Sequence, residues 1–404
     1  MKTRIMKAVL PWLSSPDDSA RSRFAPITDI SSVEGIPEEA LKGLVEVTDN
    51  FSFKANEYYL DLVNWEDPED PIRRLIVPNP AELDGWGDYD ASDEASNTRI
   101  QGLQHKYPET ALFLVTDNCT GFCRYCFRKR LFLAQADEVT RNYSAVYTYI
   151  AEHTEIDDVI LSGGDPLSMS TRRLGAILKN LAAISHVKTV RIGSKTPAYN
   201  PMRLGGDLEL QKILSDFTAH SGKTLYLIAH FDHPRELTDI ALEELAMYRD
   251  CGLVILNQCP ILRGINDDDA TLRELYNKLH AAGVAPYYAF QGRPVRGNEQ
   301  YMVPITEAYR IFHNAVRDLC GLAKRARYVM SHSSGKIEIL GVDEKRIYMR
   351  YHRAKDPKNR ERFMIFNRDD SACWLDSLIP AQEDQTRCEY GNMGSVGQRV
   401  SRSI

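Results

Sequence analysis

A chain of 404 residues with 43% hydrophobic and 26% charged side chains has length for one large core and an elaborated second region, and reads as a soluble globular protein, neither disordered nor membrane-spanning. The formal net charge of −6, with no basic tail or long basic run, argues against nucleic acid as a main partner. Eight cysteines are too sparse for a disulfide scaffold, and three of them cluster within eight residues, which suggests a metal site in a reducing cytoplasm.

The opening MKTRIMKAVLPWL is basic and then briefly apolar. Its apolar run is too short for a leader peptide and contains Pro11, so it is expected to be part of the fold. Residues 1–104 are acidic, proline-punctuated and partly helical, with helices expected at 37–47 and 56–63 and a polar loop at 86–97 (WGDYDASDEASN). From about residue 110, apolar β-type runs alternate with amphipathic helical stretches. Strands are expected at 111–116, 158–161, 189–192, 224–229, 253–257 and 285–290, with helices between them, for example at 170–184 and 238–251. Such a rhythm predicts an α/β core over 105–320, a parallel sheet with helices outside, here an incomplete (β/α)6 barrel. Residues 321–404 form a C-terminal region with strands expected at 327–339 and 346–352. Its last two dozen residues read as a polar tail that docks or crosses to a partner.

Chemistry in parallel sheets sits at the carboxyl ends of the strands, and the chemistry-bearing residues fall there. Cys119, Cys123 and Cys126 follow the first core strand in TDNCTGFCRYCFRKR. Three thiolates can hold three irons of a [4Fe–4S] cluster and leave the fourth open, whereas full protein ligation needs four. This spacing resembles that of radical S-adenosylmethionine (SAM) enzymes, in which the amino and carboxylate groups of SAM take the open iron and an electron from the cluster releases a 5′-deoxyadenosyl radical. The plainer readings are a zinc site lacking its fourth ligand, or coincidence. Cys251, Cys259, Cys320, Cys373 and Cys388 have no such spacing and read as core or surface thiols. Gly163-Gly164-Asp165-Pro166 ends the second strand, where glycines let a backbone approach a ligand closely and exposed peptide groups can hold an ammonium; alone, the motif could equally be an ordinary turn.

The runs GLQHKYPETALFLVTDNCTGFCRYCFRKR, VILSGGDPL, RIGS, HFDHPREL, LNQCPILRGIND and APYYAFQG together resemble the lysine 2,3-aminomutase family, and DPEDPIRRLIVPNPAEL resembles that family's N-terminal region. The resemblance implies a radical SAM isomerase that moves an amino group from Cα to Cβ, with pyridoxal 5′-phosphate (PLP) beside the cluster and SAM. It implies cluster ligation by Cys119, Cys123 and Cys126, and SAM contacts from Gly163, Gly164, Asp165, Ser194, His230 and Gln258. Lys336 in HSSGKIEIL takes the position of the PLP-bonding lysine, with Tyr107 beside the cofactor, and Arg128 that of the arginine pairing with the substrate α-carboxylate. Without the resemblance, Lys336 would be a surface lysine at a turn, Arg128 one of a basic patch with Lys129 and Arg130, and His230 a core histidine.

The sequence also departs from the family pattern. His332-Ser333-Ser334-Gly335 precedes Lys336 where the family has a run of glycines, and Thr110 and Phe290 replace an arginine and a tyrosine near PLP. Arg293 and Val329 stand where lysine mutases carry two aspartates that hold the distal ammonium of lysine. An ammonium buried against an arginine would be unpaired at a cost of about 3 kcal/mol or more, so a distal carboxylate, as in glutamate, is expected instead. The alternative is that Arg293 faces solvent or pairs with Glu299. A cytoplasmic homo-oligomer fed by an external electron donor such as flavodoxin or ferredoxin completes the expectation. Its rivals are a family member that has lost or repurposed PLP for another hydrogen abstraction, and a non-catalytic cluster protein, which would need no SAM pocket.

Overall fold

The computed structural model describes residues 22–133 and 136–381. The opening MKTRIMKAVLPWL, the polar C-terminal tail and Cys388 lie outside the described residues. One 12-stranded mixed sheet runs through the molecule in sequence order. Its strands are β1 (Thr98–Ile100), β2 (Leu103–Tyr107), β3 (Thr110–Thr116), β4 (Asp158–Gly163), β5 (Thr189–Ser194), β6 (Thr224–Ala229), β7 (Val254–Pro260), β8 (Ala285–Phe290), β9 (Arg327–His332), β10 (Gly335–Val342), β11 (Arg346–Ala354) and β12 (Phe363–Asn367). Pairing is parallel from β3 to β9 and antiparallel at both ends.

Alternation along the parallel strands assigns each residue a face. In β4 and β5, Val159, Leu161, Val190 and Ile192 are fully buried in the main apolar core. Their neighbours Ile160, Ser162, Arg191 and Gly193 line a cavity on the other face. The core closes against helices that include Tyr143–Glu152, Thr171–Ala182, Leu208–His220, Asp239–Asp250, Asp269–Ala281 and Ile305–Arg317. Side chains of Asn142, Asp207, Thr238 and Asp268 accept first-turn N–H groups of four of them, caps worth about 1 kcal/mol each. Every strand from β3 to β10 contributes a side chain to the lining of that one cavity, so the sheet curves around it.

A second apolar cluster joins N-terminal residues such as Tyr58, Tyr59, Ile72 and Leu75 to Tyr125, Tyr199 and Tyr301 of the core. The N-terminal layer also grips the cysteine loop through its backbone: Phe122 N–H donates to Lys54 O (2.9 Å) and Arg124 N–H to Leu75 O (2.9 Å). The fully buried Arg124–Glu82 ion pair (2.8 Å) locks the same junction.

The expected core elements recur, but β1, β2 and β12 were not expected, the helix expected at 56–63 is the single turn Glu57–Leu60, and three further features differ. The parallel run has a seventh strand, β9, beside the six expected. The stretch 327–339 is two strands, because Ser333-Ser334 turn the chain and Gly335 (φ 158°) begins an antiparallel return. The polar loop 86–97 ends in a short helical turn, Ala95–Asn97, and sends Glu94 inward.

Candidate active site

The cavity measures about 230 Å³ and opens into a second of about 170 Å³; both are lined by Leu112, Arg128, Ile160, Arg191, Arg293, Ser331 and Lys336. At one end lies the loop after β3, with Cys119, Cys123 and Cys126 free and partly buried. Burial pushes all three thiols up, Cys123 to about 12, while the Lys195 ammonium opposes this at Cys123. Gly163, the last residue of β4, and Gly164 let the cysteine loop pass close by. Gly163 has φ 116°, and a Cβ on it would sit 2.3 Å from Thr116 O; one on Gly164 would sit 2.2 Å from Asn118 O. The Gly164 and Asp165 N–H groups donate to those two carbonyls (2.6 and 2.7 Å).

Asp165 fastens neighbouring loops together. Its carboxylate accepts the N–H groups of Leu167, Lys195 and Thr196 (2.9 Å each) and the Ser194 hydroxyl (2.7 Å). Asp165 and Ser194 therefore stand behind the cavity wall, whereas His230 and Gln258 line it. His230 is no isolated core residue: its Nε2 lies 3.1 Å from Asp232 Oδ1 and 3.2 Å from the Tyr125 hydroxyl. Beneath it, Lys195 donates to Asp232 (2.6 Å) and Glu236 (2.5 Å), a fully desolvated charge cluster.

Lys336 is the second residue of β10, not a residue of the exposed turn, and alternation turns it into the cavity while Ile337 and Ile339 join the core. Its Nζ lies 3.9 Å from the Tyr288 ring centroid and 5.2 Å from that of Phe290. Burial, then the cations Arg191, Arg353, Arg293 and Lys106, hold this amine well below the usual lysine range, a shift towards the neutral, nucleophilic form. Burial likewise brings Lys106 down to about 8, and raises the Tyr107 phenol beside Lys336 to about 12. The turn is held without the glycines: His332 Nδ1 meets the Ser334 hydroxyl (2.7 Å), and His332 Nε2 meets Asp376 (3.1 Å).

Between the two ends stands an arginine cluster. Arg128 donates to Glu94 through Nε and Nη2 (3.0 and 2.9 Å) and to Ser162 through Nη1 (2.8 Å). Arg130 donates to Glu94 (2.7 Å), and Arg293 lies 3.6 Å from it. Arg293 neither faces solvent nor pairs with Glu299; its guanidinium lies over the Phe127 ring at 3.7 Å from the centroid. Burial lowers it to about 10, so it stays charged at neutral pH. Burial alone would raise the Glu94 carboxyl, but Arg128, Arg293 and Arg130 outweigh it and hold the group well below the carboxylate range. Among the described residues, Glu94 is the one carboxylate lining either cavity. Val329 is fully buried on the same strand face as Ser331.

Sequence reading did not find Glu94, Arg130, Arg191, Arg353 or Lys106. Four acids in a twelve-residue polar loop look like a solvated turn, and only tertiary contact singles out Glu94. Asp232 and Glu236 lay inside the HFDHPREL run, and their i, i+4 spacing around Lys195 was the available signal.

A cysteine loop at one end, a depressed lysine at the other and a cationic cavity on the strand ends define an enzyme that works through bound cofactors. No family model matches the chain. A putative L-lysine 2,3-aminomutase of Aquifex aeolicus is 50% identical over 87% of this chain and 94% of its own length. The L-lysine 2,3-aminomutase of Clostridium subterminale is 32% identical over 72% of this chain and 69% of its own, and that of Escherichia coli 32% identical over 67% and 78%. The chain belongs to the lysine 2,3-aminomutase family, whose members are radical SAM isomerases. A radical SAM methyltransferase from Sphaerobacter thermophilus superposes with a TM-score of 0.37 at 15% identity, over 56% of this chain and 68% of that one.

The family works with a [4Fe–4S] cluster, SAM and PLP, and the residues present fit all three. Cys119, Cys123 and Cys126 are free thiols on one loop, and a [4Fe–4S] cluster takes one thiolate per ligated iron. Lys336 supplies an amine held above aromatic rings, and cations beside it suit a phosphate.

Proposed function

We propose that the protein is a 2,3-aminomutase for a dicarboxylic amino acid, glutamate being the simplest. One observation carries the reading: the lining offers the guanidinium groups of Arg128 and Arg293, and its one carboxylate, Glu94, is already held by three arginines. Cations outnumber the one acid there, so a distal ammonium would meet no free carboxylate, whereas a distal carboxylate would meet Arg293, whose contact with Glu94 is the longest of the three at 3.6 Å. The names of its relatives make L-lysine the competing substrate.

In this reading Cys119, Cys123 and Cys126 would hold the cluster, and Gly163, Gly164, His230 and Gln258 would hold SAM. Asp165 and Ser194 fix the loops beneath. Lys336 holds PLP, which carries the migrating nitrogen, with Tyr107 alongside. Arg128 holds the substrate α-carboxylate and Arg293 the distal one, placing Cβ towards the cluster end where the hydrogen is abstracted. Of the regions 1–104, 105–320 and 321–404, the first covers the cysteine loop through described residues such as Lys54 and Leu75, the second forms the incomplete barrel, and the third contains Lys336. An external low-potential donor such as flavodoxin or ferredoxin supplies the electron to a cytoplasmic homo-oligomer. Among the described residues no helix is long and apolar enough to cross a membrane.

The test is deuterium transfer from the β-carbon into 5′-deoxyadenosine with reduced, reconstituted enzyme. β-Deuterated glutamate should label the nucleoside and β-deuterated lysine should not. Labelling by lysine alone refutes the substrate reading, and labelling by no free amino acid favours the rival without amino migration.

A further inference from the structure

Tyr199 has no part in the reading above, yet its hydroxyl lies 3.1 Å from Cys123 Sγ. The residue ends the short helix Thr196–Tyr199 and is 1% exposed. Its ring is fixed on several sides. The Tyr59 ring packs at 4.4 Å between centroids, and Lys195 Nζ lies 5.5 Å from the ring. A Cβ on Gly121 would come within 3.1 Å of it, so the cysteine loop passes as closely as a glycine allows. The Tyr199 carbonyl accepts from Asn56 Nδ2 (2.8 Å), and the Thr120 and Thr196 hydroxyls meet at 3.0 Å. Clamped so, the ring keeps its hydroxyl oxygen beside the Cys123 sulfur. At Cys126 the comparable contact is a longer one from the Arg128 N–H, at 3.4 Å.

We propose that Tyr199 sets the reduction potential of the cluster by donating a hydrogen bond to the Cys123 sulfur. This rests on Cys123 being a cluster ligand. Adding one electron from a low-potential donor puts more negative charge on the sulfurs, and a hydrogen bond strengthens with the charge of its acceptor. The O–H therefore stabilises the reduced cluster more than the oxidised one and raises the potential, and hydrogen bonds to sulfur are among the factors that set it. Tyr199 acts on SAM and substrate only through the cluster, as a positioning residue whose effect is electrostatic.

The experiment is an EPR-monitored redox titration of full-length, anaerobically reconstituted protein, parent against Tyr199→Phe. At the potential that half-reduces the parent, the reduced-to-oxidised ratio in the variant should fall about tenfold, which for one electron is a shift of about 59 mV to more negative values. Tyr309→Phe, whose hydroxyl donates instead to Leu340 O, should titrate like the parent. In deuterated buffer the reduced parent should show an exchangeable deuteron coupled to the cluster, missing from Tyr199→Phe. Tyr199→3-fluorotyrosine, a stronger donor of nearly the same shape, should move the potential positive, and it decides the matter if the phenylalanine variant takes up no cluster. Unmoved potentials in variants with the parent's iron and sulfide content overturn the proposal while leaving Cys123 a ligand. A parent that assembles no cluster removes the ligand assignment itself.

Discussion

The two ends of the cavity follow opposite electrostatic plans. Around the cysteine loop buried acids answer buried cations, with Asp232 and Glu236 about Lys195 and Glu82 against Arg124 and Lys129, beside the phenols of Tyr125 and Tyr199. Around Lys336 they are Arg191, Arg293, Arg353 and Lys106, with Glu94 the one acid lining that space among the described residues. Burial raises the thiols at one end and lowers the amine at the other. Each end thus favours the neutral form of its protein nucleophile, by opposite shifts.

Breaking the cysteine end should have the largest effect. Cys123→Ala should abolish both the EPR signal of the reduced cluster and all deoxyadenosine formation, because two thiolates cannot hold the cluster in place. Breaking the lysine end should separate the two chemistries. Lys336→Ala should lose amino migration while still cleaving SAM, and borohydride followed by peptide mapping should place the pyridoxyl label on Lys336 in the parent.

These two ends were not equally legible in the sequence. The cysteine spacing and the GGDP run announce themselves because cluster ligation and close backbone approach each demand particular residues at particular distances. The strands of the core were legible for a similar reason: alternation in DVIL and TVRI separates a helix-facing side from a cavity-facing one. The stretch 327–339 was misjudged as one strand because SHSSG carries no proline or asparagine-glycine signal, and its turn is held by His332 with Ser334 and with Asp376, 44 residues further along the chain. The arginine cluster was only half legible. Arg128 and Arg293 stood at family positions, but Arg130 and Glu94 acquire meaning only when the loop 86–97 folds across the strand ends.

Smaller perturbations sharpen the contrast. Arg293→Asp should lower kcat/KM for glutamate about 100-fold, the loss of roughly 3 kcal/mol expected for a charged hydrogen bond, and steady-state kinetics with lysine should then show whether the new carboxylate admits an ammonium. Glu94→Gln should leave three arginines facing one another and destabilise the protein by about 3 kcal/mol at neutral pH, a deficit that denaturant titration should find reduced when glutamate is bound. The pH dependence follows in sign. A carboxyl held below its ordinary value of 4.5 contributes stability that is complete above that pH and is lost as the pH falls towards the folded value. Between neutrality and pH 4.5 parent and variant should therefore differ by a constant amount, and below it the gap should close.

The central claim is that the arginine end selects a second carboxylate on the substrate. The most direct measurement is a competition: equal concentrations of glutamate and lysine, reduced and fully reconstituted enzyme, and chromatographic separation of the β-amino acids formed. The account predicts β-glutamate as the dominant product. β-Lysine as the dominant product would contradict it and would mean that Arg293 turns away from the substrate when the cofactors are bound.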